Sequence, residues 1–501
     1  MTLKTWMKTK ESSREGGIIQ TFDMEKFFDK ESLLDTMVTL KSKAGIDSKD
    51  YRMWYKLNED TRISVRTSVG ESDSKLIKNS LGQGSFGAAL ASSLNIGCAI
   101  KDTFGERSST NIGSLPLNAV VMQDDIAKLN DNVEQAREGC YKIHKTLVSK
   151  QLSVNQDKCK YLIVGPKRFR EETLRDLENQ PLGMGGVAIK HAANEKYLGD
   201  WVNELGCKES IDDTIKERMR KLTSKTNDII LLADAPMMGA DGSSMAGIRL
   251  FEATVIPALL FNCESWIGIT ELQINELQGF QDKFIRKLMH LPTSTPKAIL
   301  HWDSGMEMMK WRIAKRKLLF LKKMMTKENS NLCKRSILNE TILGVEGLGH
   351  ECKALAKTLG LTDLRDSYAT TCRADIDRAI RTHSEKTIKE EVEASRKVGD
   401  RAEDNPRDRE YLKYMTLPDS RIWMRVRAKS IKGVKVNNKK SHNSLRCRFC
   451  DDDTEESQEH LVACSGGDFE RRKLKMTKVE DKVTFWRRMT KKISDWGRGV
   501  S

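Results

Sequence analysis

Residues 18–29 read IIQTFDMEKFFD, and this stretch decides the fold that the sequence predicts. Its β-branched and aromatic residues are typical of a short strand, and Asp23 stands where that strand ends. A second apolar run, residues 115–122, is followed by the pair Asp124-Asp125. Each acidic group therefore follows a strand, where the side chains can converge on one point.

Helices and strands alternate in the first part of the chain. Apolar residues at helical spacing predict helices at 30–55 and 125–147, and a further strand is predicted at 161–164. This alternation indicates an α+β domain over roughly the first 205 residues. Beyond it the pattern turns helical and basic, with amphipathic helices predicted at 277–288 and 308–325.

The composition favours a polyanionic partner inside a cell. The chain has 86 Lys and Arg against 71 Asp and Glu, a net charge of +15, so nucleic acid is the first candidate and an acidic membrane surface the second. Apolar stretches fall short of the ~20 residues that a spanning helix needs, and the N-terminus lacks the apolar segment of a secretory signal. The 11 cysteines are mostly scattered singly, which fits a reducing compartment. We expect an intracellular protein without membrane spans.

The carboxylates of Asp23, Asp124 and Asp125 suit one particular chemistry. Phosphoryl transfer between nucleotides needs concentrated positive charge, which two Mg²⁺ ions ~3.5–4 Å apart supply. Because hard divalent ions prefer carboxylate oxygens, an Asp on one strand and an Asp-Asp turn on a neighbouring hairpin predict such a site. The alternative is that the pair is an ordinary turn or helix N-cap and that Asp23 caps the helix after it.

Five short motifs, in order along the chain, resemble those of reverse transcriptases from retrotransposons that lack long terminal repeats. Asp23 with Phe28 five residues later resembles the first catalytic motif, in which the aromatic side chain blocks the ribose 2′-hydroxyl. The stretch Gly82-Gln83-Gly84 is similar to the family's Gln-Gly motif. In the family this motif lies along the templating base pair and the incoming nucleotide.

The remaining three motifs lie further along the chain. Residues 122–125, MQDD, resemble the family's double-Asp hairpin, with Met122 in place of the usual Tyr or Phe. Residues 152–158 resemble the next motif, in which Lys158 would lie near the nucleotide phosphates and act as a general acid toward pyrophosphate. The hairpin that grips the primer in this family is similar to the stretch that contains Tyr197, Leu198 and Gly199.

The resemblance implies an RNA-directed DNA polymerase that extends a DNA primer on an RNA template. Its partners would be template RNA, primer or target DNA and deoxynucleoside triphosphates, in a nuclear or cytoplasmic ribonucleoprotein. The implied catalytic residues are Asp23, Asp124, Asp125 and Lys158, with the three aspartates holding two Mg²⁺ ions. Such enzymes ordinarily carry a fingers region before the first catalytic Asp, and only 22 residues precede Asp23, so we expect an N-terminal truncation. The alternatives are a catalytically inactive nucleic-acid-binding remnant and a group II intron maturase.

A cysteine and histidine cluster predicts a structural zinc site. Cys447, Cys450, His460 and Cys464 supply three thiolates and one imidazole at spacings that allow tetrahedral Zn²⁺. A turn between the first two and a short helix carrying the last two would point all four inward, and no coordination position would stay open. The alternative is three buried thiols and an exposed histidine. A similar knuckle follows the polymerase in many elements of the class, where it is thought to contact nucleic acid.

The expected fold class is an α+β palm domain of an incomplete right-hand polymerase, followed by an all-α thumb or connection region and a small zinc knuckle. The basic aromatic tail is predicted either to contact nucleic acid or to bury its aromatics in a helix with solvated charges. The predicted parts are the palm with most of the fingers missing (1–205), a helical thumb or connection (206–345), a helical linker region (346–440), the zinc knuckle (441–470) and the tail (471–501).

Overall fold

In the computed structural model, the first part of the chain forms a mixed sheet packed against helices, and the rest of the described chain is helical. It describes residues 1–43, 45–76, 87–105, 109–235, 242–400, 406–431, 434, 445–450, 453–464 and 478–497. The strands are β1 (Gly17–Phe22), β2 (Arg62–Ile63), β3 (Arg66–Thr67), β4 (Gly70–Glu71), β5 (Lys75–Leu76), β6 (Thr110–Ile112), β7 (Leu115–Leu117), β8 (Ala119–Met122), β9 (Asp125–Asn130), β10 (Lys160–Val164), β11 (Gly183–Met184), β12 (Val187–Ala188), β13 (Lys190–His191), β14 (Asn194–Tyr197) and β15 (Asp200–Asn203).

Helices also lie between these strands, and the regular elements described after β15 are all helices. Those in the first part are α1 (Thr2–Ser13), α2 (Phe27–Lys30), α3 (Leu33–Ser42), α4 (Ser48–Asn58), α5 (Ala88–Phe104), α6 (Val133–Ser149) and α7 (Lys167–Asn179). Those that follow are α8 (Cys207–Asp234), α9 (Ser244–Leu250), α10 (Ile256–Leu259), α11 (Glu271–Leu288), α12 (Lys297–Ser304), α13 (Met309–Met325), α14 (Leu332–Ile342), α15 (Leu348–Thr358), α16 (Leu364–Ser367), α17 (Arg373–Glu393), α18 (Leu417–Arg427), α19 (Gln458–Ala463) and α20 (Val479–Gly497). Shorter turns are π-helical at Phe251–Val255 and 3-10 at Cys263–Ser265 and Pro406–Lys413.

The central strand of the main sheet is β1, in the order β13-β10-β1-β9-β8. It pairs antiparallel with β9, with Phe22 opposite Ile126, and with β10, with Ile19 opposite Leu162. Because side chains alternate across a strand, Ile18 packs into the core shared with α5 and α6, whereas Ile19 packs into the core beneath α1. Both faces of the central strand are therefore buried.

The first helix, α1, joins this sheet to the helical part. Trp6 is fully buried against the sheet, and its indole Nε1 donates to Thr110 Oγ1 at 2.8 Å. On α14, Glu340 Oε1 accepts a buried hydrogen bond of 2.6 Å from Thr5 Oγ1, and burial raises the pKa of Glu340 to about 7. The bond between Thr5 and Glu340 joins the predicted palm (1–205) to the predicted thumb or connection (206–345). The limits of these domains remain a prediction.

The sequence prediction is confirmed for the strands at 18–22 and 161–164 and is partly wrong for two helices. Residues 125–130 form β9 instead of helix, and α6 begins only at Val133. A short apolar run fits either structure, and hydrogen bonding to β1 selects the strand. The helix predicted at 30–55 divides into α3 and α4, with Gly45 at a positive φ of 64° between them.

The helices after the sheet form one large hydrophobic core and two smaller ones, which lie between α13 and α14–α17 and between α12 and α17. The large core takes residues from α8 to α13 and from α18 to α20, and it includes two of the predicted zinc ligands, Cys447 and Cys464. The helices predicted at 277–288 and 308–325 are confirmed as α11 and α13. No helix among the described residues is long and apolar enough to cross a membrane.

A buried histidine ties three of these helices together. His301 of α12 places Nε2 at 2.8 Å from Asp282 Oδ1 on α11 and Nδ1 at 3.1 Å from Glu391 Oε2 on α17. Burial alone would lower the pKa of this imidazole, but hydrogen bonds to two carboxylates outweigh it and raise the pKa of His301 to about 9. The charged imidazole therefore stabilises the folded chain.

We expect this stabilisation to depend on pH with a defined sign. The folded pKa of His301 lies above its unfolded value, so the contribution is complete below about pH 6.5 and is lost as the pH rises through about 9. Compared with wild type, His301→Gln should lose about 1–3 kcal/mol of unfolding free energy at pH 6 and much less at pH 9.5. Urea unfolding followed by circular dichroism measures the difference.

The matched control is His383→Gln, a change to a half-buried histidine on α17. Its ring bonds to the backbone carbonyl of Ala379 instead of to two carboxylates, so at pH 6 it should cost less unfolding free energy than His301→Gln. Equal differences for His301→Gln at pH 6 and pH 9.5 would contradict the assignment.

Candidate catalytic cleft and metal centre

Two of the predicted catalytic aspartates lie at the same edge of the sheet. Asp23 directly follows β1, and Asp125 is the first residue of β9. Since Phe22 lies opposite Ile126 in the antiparallel pairing, the next residue of β1 and the preceding residue of β9 come together. The pairing of the two strands thus brings these carboxylates to one place.

The third aspartate, Asp124, lies in the turn of a tight hairpin. Met122 of β8 pairs with Asp125 of β9, which leaves Gln123 and Asp124 as a two-residue turn. Gln123 has a φ of 57°, as the favoured two-residue hairpin turns require. The hairpin expected from the sequence is therefore present at these positions.

The segment that carries Lys158 is hydrogen bonded beside the end of β1. Asn155 N–H donates to the carbonyl of Asp23 at 2.8 Å, and Glu25 N–H donates to the carbonyl of Ser153 at 2.9 Å. Lys158 Nζ lies 3.3 Å from Asp23 Oδ2. Two motifs separated by more than a hundred residues are thus adjacent.

These groups line a cleft of about 210 Å³. Asp23, Asp125, Lys158 and Tyr197, all predicted site residues, are among its walls. Four further charged residues that the sequence analysis did not identify also line it: Asp157, Lys160, Glu195 and Lys196. The cleft is therefore polar and carries both signs of charge.

Electrostatic repulsion acts among the carboxylates. Burial and then the neighbouring charges of Asp124 and Asp23 raise the pKa of Asp125. Burial, with a smaller contribution from Asp125, raises the pKa of Tyr197. A bound cation would relieve this repulsion, and carboxylates are the ligands that Mg²⁺ prefers, so the donor set fits the ion by chemistry. In the described residues the three carboxylates do not form a group converged tightly enough to hold a metal ion.

The predicted primer-grip stretch forms the β14–β15 hairpin. Leu198 and Gly199 have φ values of 50° and 83° and make its tight turn. The hydroxyl of Tyr197 donates to the carbonyl of Val120 at 3.0 Å, which ties the hairpin to β8. The three residues therefore lie next to the acidic hairpin.

The other predicted nucleotide-binding residues are placed differently. Phe28 is half-buried, with its ring centroid 5.3 Å from that of Phe27, and it packs in the cores around α3 and α5. It is not among the described residues that line the cleft. Gly82, Gln83 and Gly84 lie outside the described residues, so their role stays a prediction, as does that of Phe28.

A buried ion pair that the sequence analysis did not identify lies behind the hairpin turn. Asp200 accepts hydrogen bonds from Arg218 at 2.6 Å, from Asn262 at 2.7 Å and from Ser265 at 3.2 Å. Asp200 pairs with Tyr197 across the hairpin, so its position beside the predicted motif was a usable signal. Arg218, within a long amphipathic helix, gave none.

The second site is the cysteine and histidine cluster. Cys447 Sγ lies 3.7 Å from Cys464 Sγ, Cys450 Sγ lies 3.3 Å from His460 Nε2, and all four donor atoms lie within 4.8 Å of one another. Thiolates at about 2.3 Å from a tetrahedral Zn²⁺ are about 3.8 Å apart, so the spacing fits this ion. Burial raises the pKa of the Cys447 thiol, and a bound cation would hold it as the thiolate. The cluster could hold zinc.

The surroundings of the cluster orient its ligands. Phe449 N–H donates to Cys447 Sγ at 3.4 Å, and the buried Glu456 accepts two hydrogen bonds of 2.8 Å from the guanidinium of Arg448. Gln458 Nε2 donates to the carbonyl of Val426 on α18 at 3.0 Å. The cluster segment is thus held together by a backbone bond and a charged pair, and the amide of Gln458 joins it to the helical core.

The aromatic residues of the tail that the structure describes are buried. Phe485 and Trp486 on α20 belong to the same core as Cys447 and Cys464. This is the alternative in which the helix buries its aromatics. The basic residues at 471–477 lie outside the described residues.

Comparison with known proteins gives weak likenesses. No family model and no curated protein matches the chain. Among solved structures, telomerase from Candida tropicalis matches at 11% identity over 57% of this chain and 49% of its own, with a TM-score of 0.32. Telomerase from Candida albicans, solved with a fragment of telomeric RNA, matches at 11% identity over 80% of this chain and 50% of its own, with a TM-score of 0.30. The matches span about half of each telomerase chain, and TM-scores of this size do not establish a shared fold.

We expect the full chain to bind one Zn²⁺ and to need it for stability. Removal of the ion by a chelator should lower the thermal midpoint by roughly 5 °C or more, since each kcal/mol lost shifts the midpoint of a large domain by about 2–4 °C. Elemental analysis and thermal unfolding measure the two effects.

The variant Cys450→Ser should abolish stoichiometric zinc and show the lower midpoint without a chelator. The matched control is Cys372→Ser, because Cys372 is an exposed thiol outside the cluster. Full zinc content in Cys450→Ser, or loss of zinc in Cys372→Ser, would contradict the assignment.

Proposed function

We propose that the chain is an RNA-directed DNA polymerase of a retrotransposon that lacks long terminal repeats. It would extend a DNA primer on an RNA template by two-Mg²⁺ nucleotidyl transfer. The observation that carries the proposal is the cleft in which Asp23 and Asp125, from adjacent strands, meet Lys158. These residues come from three separate motifs of the resemblance.

The proposed reaction assigns a task to each group. Asp23, Asp124 and Asp125 would hold the ions. Two Mg²⁺ ions bound there would activate the primer 3′-hydroxyl and neutralise charge on the leaving pyrophosphate. Lys158, whose side chain is 65% exposed, can reach into the cleft and donate a proton to that pyrophosphate.

The nucleic-acid partners follow from charge and from the hairpin. The net charge of +15 favours a polyanion. The β14–β15 hairpin, with Tyr197 in the wall of the cleft, would hold the primer end, and the zinc knuckle would add a contact to template or target strand. The ions, the triphosphates and the strand assignments are part of the proposal.

Incorporation of dTMP on poly(rA) primed with oligo(dT) tests this function. Asp125→Asn should lower the rate by roughly 100-fold or more, because the ions supply several kcal/mol of charge stabilisation and each 1.36 kcal/mol is a factor of ten. The control is Asp157→Asn, since this carboxylate lines the same cleft, is 94% exposed and has no role as an ion ligand in the proposal. It should change the rate by less than about threefold.

Unchanged incorporation in Asp125→Asn would refute the proposal. Binding of the primer–template by wild type without any incorporation would instead favour the inactive nucleic-acid-binding remnant. Fluorescence anisotropy with the same duplex separates these outcomes.

A further inference from the structure

The turn that follows α10 presents an aromatic ring to solvent beside the tip of the β14–β15 hairpin. Phe261 is 55% exposed. A Cβ atom added at Gly199, in the hairpin turn, would lie 3.1 Å from its ring. The ring therefore lies against the tip of the hairpin whose Tyr197 lines the cleft.

Arg218 fixes this ring in place. Its guanidinium donates to the carbonyl of Phe261 at 2.6 Å and to that of Gly199 at 2.8 Å, and it pairs with Asp200 at 2.6 Å. The guanidinium carbon also lies 5.6 Å from the Phe261 ring centroid. One buried cation thus joins the hairpin tip to the turn and lies behind the exposed ring.

We propose that Phe261 is a stacking surface for a nucleoside of the strand that enters the cleft, and that Arg218 is the residue that positions it. The identity of this ligand as a primer end rests on the proposed function. Nucleobases stack on aromatic side chains whatever their sequence.

Three lysines of the neighbouring cleft favour this occupant, although the cleft also contains carboxylates. Lys158, Lys160 and Lys196 can contact the phosphates of a strand whose terminal nucleoside reaches Phe261. A protein partner would need a larger apolar area than one ring and Leu198, which is 39% exposed.

The test measures binding of a primer–template duplex with 2-aminopurine at the primer 3′ end, using the full chain with zinc and Mg²⁺ but no triphosphate. In wild type the fluorescence of the base should be quenched on binding. Phe261→Ala should lose the quenching and weaken binding roughly 5- to 100-fold, the range for loss of one base–aromatic stack. Phe261→Trp should keep both within about threefold.

Two further variants separate stacking from general damage. Tyr141→Ala removes a ring on α6 that is 65% exposed and should bind as wild type does. Arg218→Lys should lose the quenching, and combining it with Phe261→Ala should weaken binding no further than Phe261→Ala alone. If Arg218 only supported the fold, Arg218→Lys would weaken binding further when it is combined with Phe261→Ala.

Equal affinity and quenching in wild type and Phe261→Ala would overturn the inference, as would a wild-type chain that does not bind the duplex. The measurement needs no incorporation. Loss of quenching in Phe261→Ala by a chain that incorporates nothing would support the inference while the proposed function failed. Normal incorporation by wild type, with the same quenching in Phe261→Ala as in wild type, would support the proposed function and overturn the inference.

Discussion

The backbone hydrogen bonds of β1, to β9 on one side and β10 on the other, are the constraint on which the cleft depends. A shift of one residue in this pairing would turn every side chain of the strand to the opposite face. Both faces are buried, and Gln20 is held within one of them by a bond of 3.0 Å from its Nε2 to the carbonyl of Ala136. The hydrophobic core therefore fixes the register, and the register places Asp23 beside Asp125.

The same packing holds together carboxylates that repel one another. Burial and then this repulsion raise the pKa of Asp125, and Lys158 on the facing segment lies 3.3 Å from Asp23. The cysteine and histidine cluster differs, because its four donor atoms lie within 4.8 Å of one another, a spacing that suits a metal ion. The cleft therefore brings together carboxylates that repel one another. The cysteine and histidine cluster instead places its donor atoms around one point against the helical core.

The sequence predicts structural features that depend on residues close together in the chain. It does not predict those that depend on hydrogen bonds between distant segments. The spacing of Cys447, Cys450, His460 and Cys464 predicted that they lie together. The β-branched residues at 18–22 predicted β1. Residues 125–130 were predicted as helix because their apolar pattern allows both structures, and only pairing with β1 selects the strand. Arg218 gave no signal, since two of its acceptors are backbone carbonyls 19 and 43 residues away.

The contact between α1 and α14 also bears on how the chain is made. Thr5 and Glu340 are 335 residues apart, and ribosomes add about 5–20 residues per second, so α1 waits roughly 15–70 s for this partner. Throughout that interval α1 lacks the surface that α14 provides, although Trp6 and Met7 can pack on the sheet once β10 has been made. Among the described helices, α1 therefore emerges early but is completely packed only after α14 has been made.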